Sequence, residues 1–124
     1  MAQPNIVGVD TIRGETVGYA PTTSEAAGLT NSTTHSVYKV NSVLVANIDG
    51  TNDADIDVRF FDSDDGASGT DYYIAKGVTV PAKATLDLLN KPIYLEESDS
   101  LKFTASVNSD LEAVISYEII IQTP

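Results

Sequence analysis

The chain has 124 residues, the length of one domain, and can bury a core without metal or disulfide staples. Its 18 acidic residues against seven basic ones give a formal net charge of −11, and the basic residues are scattered singly, which argues against the clustered Lys and Arg that nucleic-acid binding needs. Without cysteine there is no disulfide, thiolate nucleophile, iron–sulfur cluster or cysteine zinc site.

The opening MAQPNIVGVDTIRG lacks a basic start followed by an apolar run, and no stretch approaches the roughly 18 consecutive apolar residues of a membrane helix. A soluble protein made in a cytoplasm, with no membrane partner, is therefore expected. Asn5 to Arg13 alternates weakly, with neither face strongly apolar, which suits an edge strand or an arm that pairs with a neighbour.

From Glu15 to His35 the chain is rich in Thr, Ser, Gly and Ala, and Pro21 interrupts any ladder it joins. Its apolar residues are too sparse to anchor a core. Residues 1–35 are therefore expected to form an extended N-terminal arm, ordered by a partner surface, ahead of a folded domain over 36–124. Ile6, Val7, Val9, Ile12, Val17, Tyr19 and Leu29 are its candidate partner-binding residues. Ser24 to Leu29 is the one span with any helical character.

The strongest strand signal is SVYKVNSVLVANI, residues 36–48, where Tyr38, Val40, Ser42, Leu44, Ala46 and Ile48 are expected to face the core. Asp49-Gly50 supplies a turn, and Ile56, Val58 and Phe60 share one face of the next strand. After the polar loop DSDDGASGT, Tyr72 to Lys76 resumes the strand signal and Gly77 marks a bulge or bend before Val78 and Val80.

The stretch VTVPAKATLDLLNKPIYLEESDSLKFTASV, residues 78–107, organises the rest. Pro81 and Lys83 turn the chain, Leu86 and Leu88 enter the core, and Pro92 stops that ladder from continuing. Leu101, Phe103, Ala105 and Val107 then alternate with polar residues, and Ala113, Ile115, Tyr117, Ile119 and Ile121 share one face at the end of the chain. About eight short strands with frequent turn signals predict an all-β fold, an antiparallel, jelly-roll-like β-sandwich.

Chemistry is sparse. Residues 49–71 hold eight aspartates against Arg59 alone, so they carry −7 of the −11 charge. Asp62, Asp64 and Asp65 are weak Ca²⁺ candidates, but Gly66 and Tyr73 fall where an EF-hand loop needs other residues, so solvated loops are the expectation. His35, the only histidine, lacks partners for catalysis or zinc, and no nucleophile elbow or phosphate-binding glycine loop occurs. No catalytic residues and no cofactor are assigned, and the chain is not expected to be an enzyme. Six tyrosines raise a carbohydrate-binding module as an alternative, with Tyr19 and one of Tyr72 and Tyr73 as plausible surface contacts.

The opening MAQPNIVGVDTIRGETVGYA, the strand-turn VYKVNSVLVANIDGTNDADIDVRFFD, the proline turn VTVPAKATLDLL, the corner IYLEESDSLKFTAS and the closing VISYEIII carry a resemblance. Over Val37 to Ile120 the chain resembles small virion structural proteins of tailed bacteriophages, particularly marine and cyanobacterial ones. The resemblance implies a virion location after assembly in the host cytoplasm, a major capsid protein or another virion protein as partner, and a homo-oligomer. Two placements follow from it: a capsid decoration or cement protein, or a tail, neck or fibre component.

Overall fold

The computed structural model describes residues 8–122. They form nine strands and no α-helix: β1 (Thr11–Tyr19), β2 (Ala26–Thr30), β3 (Ser36–Asn47), β4 (Ala54–Asp62), β5 (Thr70–Val80), β6 (Thr85–Asp87), β7 (Ile93–Leu95), β8 (Ser100–Ala105) and β9 (Leu111–Ile121). Two antiparallel sheets pack into a sandwich. One runs β1-β9-β3-β6, with β7 also on β3, and the other runs β2-β8-β4-β5.

Period-two burial explains the core. Val58, Leu101, Phe103 and Ala105 come inward from one sheet, and Val40, Val45, Ala113, Ile115 and Ile119 from the other. Phe103 is the largest fully buried side chain, and Tyr38 stacks on Tyr117 with ring centroids 5.1 Å apart.

A bulge changes the expected face of β3. Val40 lies opposite Tyr117 but Ser42 lies opposite Ser116, so Asn41 is an extra residue in the strand. Tyr38 and Val40 point inward as expected. Beyond the bulge Val43, Val45 and Asn47 are the buried residues, while Leu44 and Ile48, expected in the core, face outward.

Residues 11–30 also depart from the expected free arm. β1 pairs with β9 over nine residues, β2 pairs with β8, and the Ala105 N–H reaches the Thr22 carbonyl at 2.8 Å. The span with helical character is thus strand β2. Gly28 permits this docking, since a Cβ there would lie 2.7 Å from the Phe103 ring and 3.0 Å from Tyr19.

Turns fall where their chemistry predicts. Lys83 takes a left-handed φ of 63° in the turn closed by Ala84 N–H to Pro81 O, and Gly77, at φ 60°, sits within β5 where its register against β4 is irregular. Leu86 and Leu88 pack against the core and the neighbouring Leu89 is buried in it. After Pro92 the chain re-enters the same edge of β3 as β7, one step away from β6.

Candidate functional site

Buried polar groups hold the ends of the sandwich. Asn31 donates to the carbonyls of Leu95 (2.9 Å) and Ser36 (3.4 Å) while its own oxygen accepts from Thr33 N–H and the Ser36 hydroxyl. Asp99 accepts from the Ser63 N–H and hydroxyl and from Glu96 N–H, and Asn47 donates to Val80 and Asn52. These groups fix loops and are fully occupied in doing so. They went unnoticed in the sequence because Asn and Asp in loops read as turn residues.

At one end Asp49 and Asp110 meet. N–H groups of Thr51 and Asn52 hold the Asp49 carboxyl below its ordinary value, whereas burial and then the Asp49 charge push Asp110 up. The pair ties two loops together and adds no nucleophile.

The Ca²⁺ candidates are not assembled into a site. Asp62 Oδ1 accepts the Asp64 N–H at 3.1 Å, and Asp65 accepts the Tyr72 hydroxyl. Among the described residues no group of three or more acidic or histidine side chains is placed to hold a metal ion. His35 lies in the β2–β3 turn with its N–H on Glu97. Among the described residues no helix is long and apolar enough to cross a membrane.

The candidate partner-binding residues divide. Ile6 and Val7 lie outside the described residues. Leu29 is buried, Val17 and Tyr19 pack against the core, and Tyr19 meets Phe103 at a centroid distance of 5.6 Å. Val9 is half-buried and Ile12 is exposed.

What remains exposed is more informative. Among the described residues seven large apolar or aromatic side chains are exposed: Ile12, Leu44, Ile48, Tyr72, Tyr73, Tyr94 and Val114. Ile12, Leu44 and Val114 lie on the outer face of the five-stranded sheet and Ile48 just past the end of β3, all between 36% and 60% exposed.

The strand register lays this face out in rows. Ile12, Ile120 and Val37 lie side by side, as do Thr16, Ser116 and Ser42, and then Gly18, Val114 and Leu44. The row between them holds Gly14, Glu118 and Lys39, the last two 3.9 Å apart. Asp87 stands in register with Leu44 and Glu112 with Ala46, so the charges of this face are Lys39 against Glu118, Asp87 and Glu112.

The opposite sheet presents a polar outer face. Arg59 sits 3.1 Å from Glu25 and 3.7 Å from Asp71, and Lys102 lies 3.1 Å from Asp71. Burial works against the Arg59 charge, but Glu25, Tyr73 and Asp71 together raise its pKa.

No protein-family model matches the chain, and no curated protein is detectably similar to it in sequence. Its fold is nonetheless shared. A subunit of the disulfide-linked pili of Bacillus endospore appendages superposes with a TM-score of 0.52 at 10% identity, covering 92% of this chain and 88% of that one. A chain from the T13 particle of infectious bursal disease virus superposes at 0.51 and 12% identity, with 92% of this chain matching 32% of the viral one. This chain thus corresponds to about a third of the viral protein. A chain of the cyanophage Pam1 capsid is covered over 91% of its length by 98% of this chain, at a TM-score of 0.35 and 11% identity, too loose a match to bear on the reading. The antiparallel sandwich is therefore one used by subunits of virus particles and of a spore appendage.

Proposed function

We propose that this chain is a non-enzymatic structural subunit of a bacteriophage virion, a capsid decoration or cement protein that docks through the outer face of its five-stranded sheet. The observation that carries this reading is the exposed apolar surface on that face: Leu44 and Val114 lie side by side, with Ile48 just past the end of β3, and Ile12 lies beside Ile120 and Val37 further along the same strands. Full burial of one such side chain stabilises by about 1.5–3 kcal/mol. Repeated over a lattice of identical sites, four partly exposed ones give a useful hold.

β1 adds a second contact. It is terminal in its sheet, so its outer edge offers backbone N–H and C=O groups to a neighbouring strand. In this reading the N-terminal segment works through Val9, Ile12 and the β1 edge, while Val17, Tyr19 and Leu29 serve the chain's own core.

Support comes from the sandwich shared with a viral-particle chain, together with the sequence resemblance to phage virion proteins. The pilus subunit covers more of its own length, but the linkage named for it is disulfide, and this sequence has no cysteine. A tail or neck location would use the same face on fewer copies.

The test is co-sedimentation with phage particles assembled without the protein. The parent chain is expected to bind at the stoichiometry of the shell lattice, and the Leu44→Lys/Val114→Lys double variant to stay in the supernatant. Binding at one ring's worth of copies would move the protein to the neck or tail. Full binding by the double variant would overturn the docking face.

A further inference from the structure

Among the described residues the two sheets end in four edges, and these differ in how they are protected from other chains. β2 is five residues long, and its pairing with β8 slips at Gly28. β5 is long but slips twice against β4, with Gly77 at φ 60°. β6 and β7, which share the far edge of the other sheet, are three residues each. Short strands and bulges of these kinds blunt an edge.

β1 has neither. Its nine residues pair with β9 in one unbroken register, and they include no proline and no lysine. Among the described residues no strand lies on its outer side, and Thr11 to Thr16 are all exposed. At Gly14 the space is open, since a Cβ there would have no neighbour within 4 Å.

The charges of β1 indicate what covers it. Arg13 and Glu15 flank Gly14 on one face of the strand, 3.8 Å apart, and the Tyr117 hydroxyl donates to Glu15 at 2.8 Å. An antiparallel strand pair related by a twofold axis sets one residue opposite its own copy. With Gly14 in that place, Arg13 stands opposite Glu15 of the second copy on both sides of the axis, Ile12 opposite Thr16, and Thr11 opposite Val17. Moving the axis one residue either way sets Arg13 against Arg13 or Glu15 against Glu15, and like charges directly opposite destabilise a strand pair. Axes further along leave neither charge facing its opposite. The strand is thus self-complementary in one register.

We infer that β1 pairs antiparallel with β1 of a second copy of this chain, about a twofold axis at Gly14. The inference rests on the proposed function only for the open β1 edge, and it names the strand that fills it. The two five-stranded sheets then run on as one, with their outer faces on the same side. The row of Ile12, Ile120 and Val37 in one copy continues into Thr16, Ser116 and Ser42 of the other, so the docking face doubles without a change in either sandwich. A strand of a different protein is the competing occupant, and it leaves the isolated chain monomeric.

The experiment is sedimentation equilibrium of the isolated full chain over a concentration series reaching about 1 mM, the weak end of specific association. A monomer–dimer equilibrium is expected, with association at least about tenfold weaker in Arg13→Glu and in Glu15→Arg, where like charges then face each other. An equimolar mixture of the two variants should associate like the parent, because each charge again meets its opposite. That recovery cannot come from a variant that fails to fold.

The register is read separately. The sequence has no cysteine, so Gly14→Cys and Gly18→Cys each introduce a single thiol where a Cβ has room. Oxidation should link Gly14→Cys to its copy, since opposite Cα atoms of an antiparallel pair lie about 4.5–5.5 Å apart, within disulfide reach. Gly18→Cys should stay unlinked, because residue 18 falls opposite residue 10 of the second copy. A chain monomeric throughout the series, a mixture that associates no more tightly than its components, or equal linking at 14 and 18 would each overturn the pairing. None of these measurements uses particles, so failure of the pairing and failure of the docking face are told apart.

Discussion

The two faces of the five-stranded sheet come from alternate residues of the same strands, and they are used in opposite ways. Ile115 is fully buried beneath the opposite sheet, while its neighbour Val114 lies open beside Leu44 and Gly18. Both are aliphatic and β-branched, so residue type does not distinguish them. Register does, because one step along a strand exchanges core for solvent. The inner face should therefore answer to stability measurements and the outer face to binding measurements.

The largest effect expected is from deleting residues 1–30. This removes β1 and β2, an edge strand from each sheet, and uncovers the pairing edges of β9 and β8 together with the Phe103 ring. Loss of Leu29, Val17 and Tyr19 from the core with nine residues of β-pairing is comparable to the whole stability of a small domain, about 5–15 kcal/mol. No cooperative thermal transition should remain by circular dichroism. A truncated chain melting like the parent would show that residues 11–30 can leave the sandwich and act as a free arm.

Single inward truncations come next. Phe103→Ala should cost about 3–5 kcal/mol and Ile115→Ala about 2–5 kcal/mol, read from urea unfolding, since both are fully buried. A loss below about 1 kcal/mol at Ile115 would mean the inner face collapses around the cavity and the contrast with Val114 is weaker than argued.

How much of this was legible in the sequence varies from one element to the next. The alternation in β4, β8 and β9 was plain, since their inward positions hold Val, Ile, Leu, Phe and Tyr while the outward ones are mostly polar. The turns at Lys83 and Gly77 and the break at Pro92 followed from local backbone chemistry. β1 and β2 were not legible as core strands, because backbone pairing with β9 and β8 places them more than their own apolar content. Gly28 carries no hydrophobic signal, yet its missing Cβ is what lets Phe103 and Tyr19 close over β2.

The functional surfaces were hidden for related reasons. The Asn41 bulge turns Leu44 and Ile48 outward, and nothing in SVYKVNSVLVANI marks where a strand will gain a residue. Strict alternation predicted that Tyr72 and Tyr73 would face opposite sides. Both nevertheless line one groove, although they pair regularly with Phe60 and Arg59, and only the fold brings Tyr94 across from the other sheet.

The edge between the two faces is sensitive to alkali. Burial, reinforced by the hydrogen bond to Glu15 at 2.8 Å, pushes the Tyr117 phenol up from 10.0 to about 12. Below pH 10 the phenol is protonated whether the chain is folded or not, so its contribution is fully present there. As pH rises from 10 toward 12 the unfolded phenol ionises first, and stability falls by up to about 2–3 kcal/mol at 1.36 kcal/mol per pH unit. Comparing urea unfolding of the parent and Tyr117→Phe across that range isolates the effect. Parallel curves for the two proteins would place the ring outside the low-dielectric interior and move the boundary of the core inward.

The smallest effect on stability is expected at Val114, and it bears most directly on function. Lysine at 114 would stand between Gly18 and Leu44, two residues along the strand from Glu112, where its stem can lie over the small side chains and its charge reach the carboxylate. Surface changes of this kind shift stability by no more than about 0.5 kcal/mol. Val114→Lys should therefore melt like the parent while its particle binding falls, whereas Ile115→Ala should melt earlier and, at a temperature where it is folded, bind normally. A Val114→Lys protein that loses stability as well would mean that the outer face is packed in the free chain, leaving a partner little new surface to bury there.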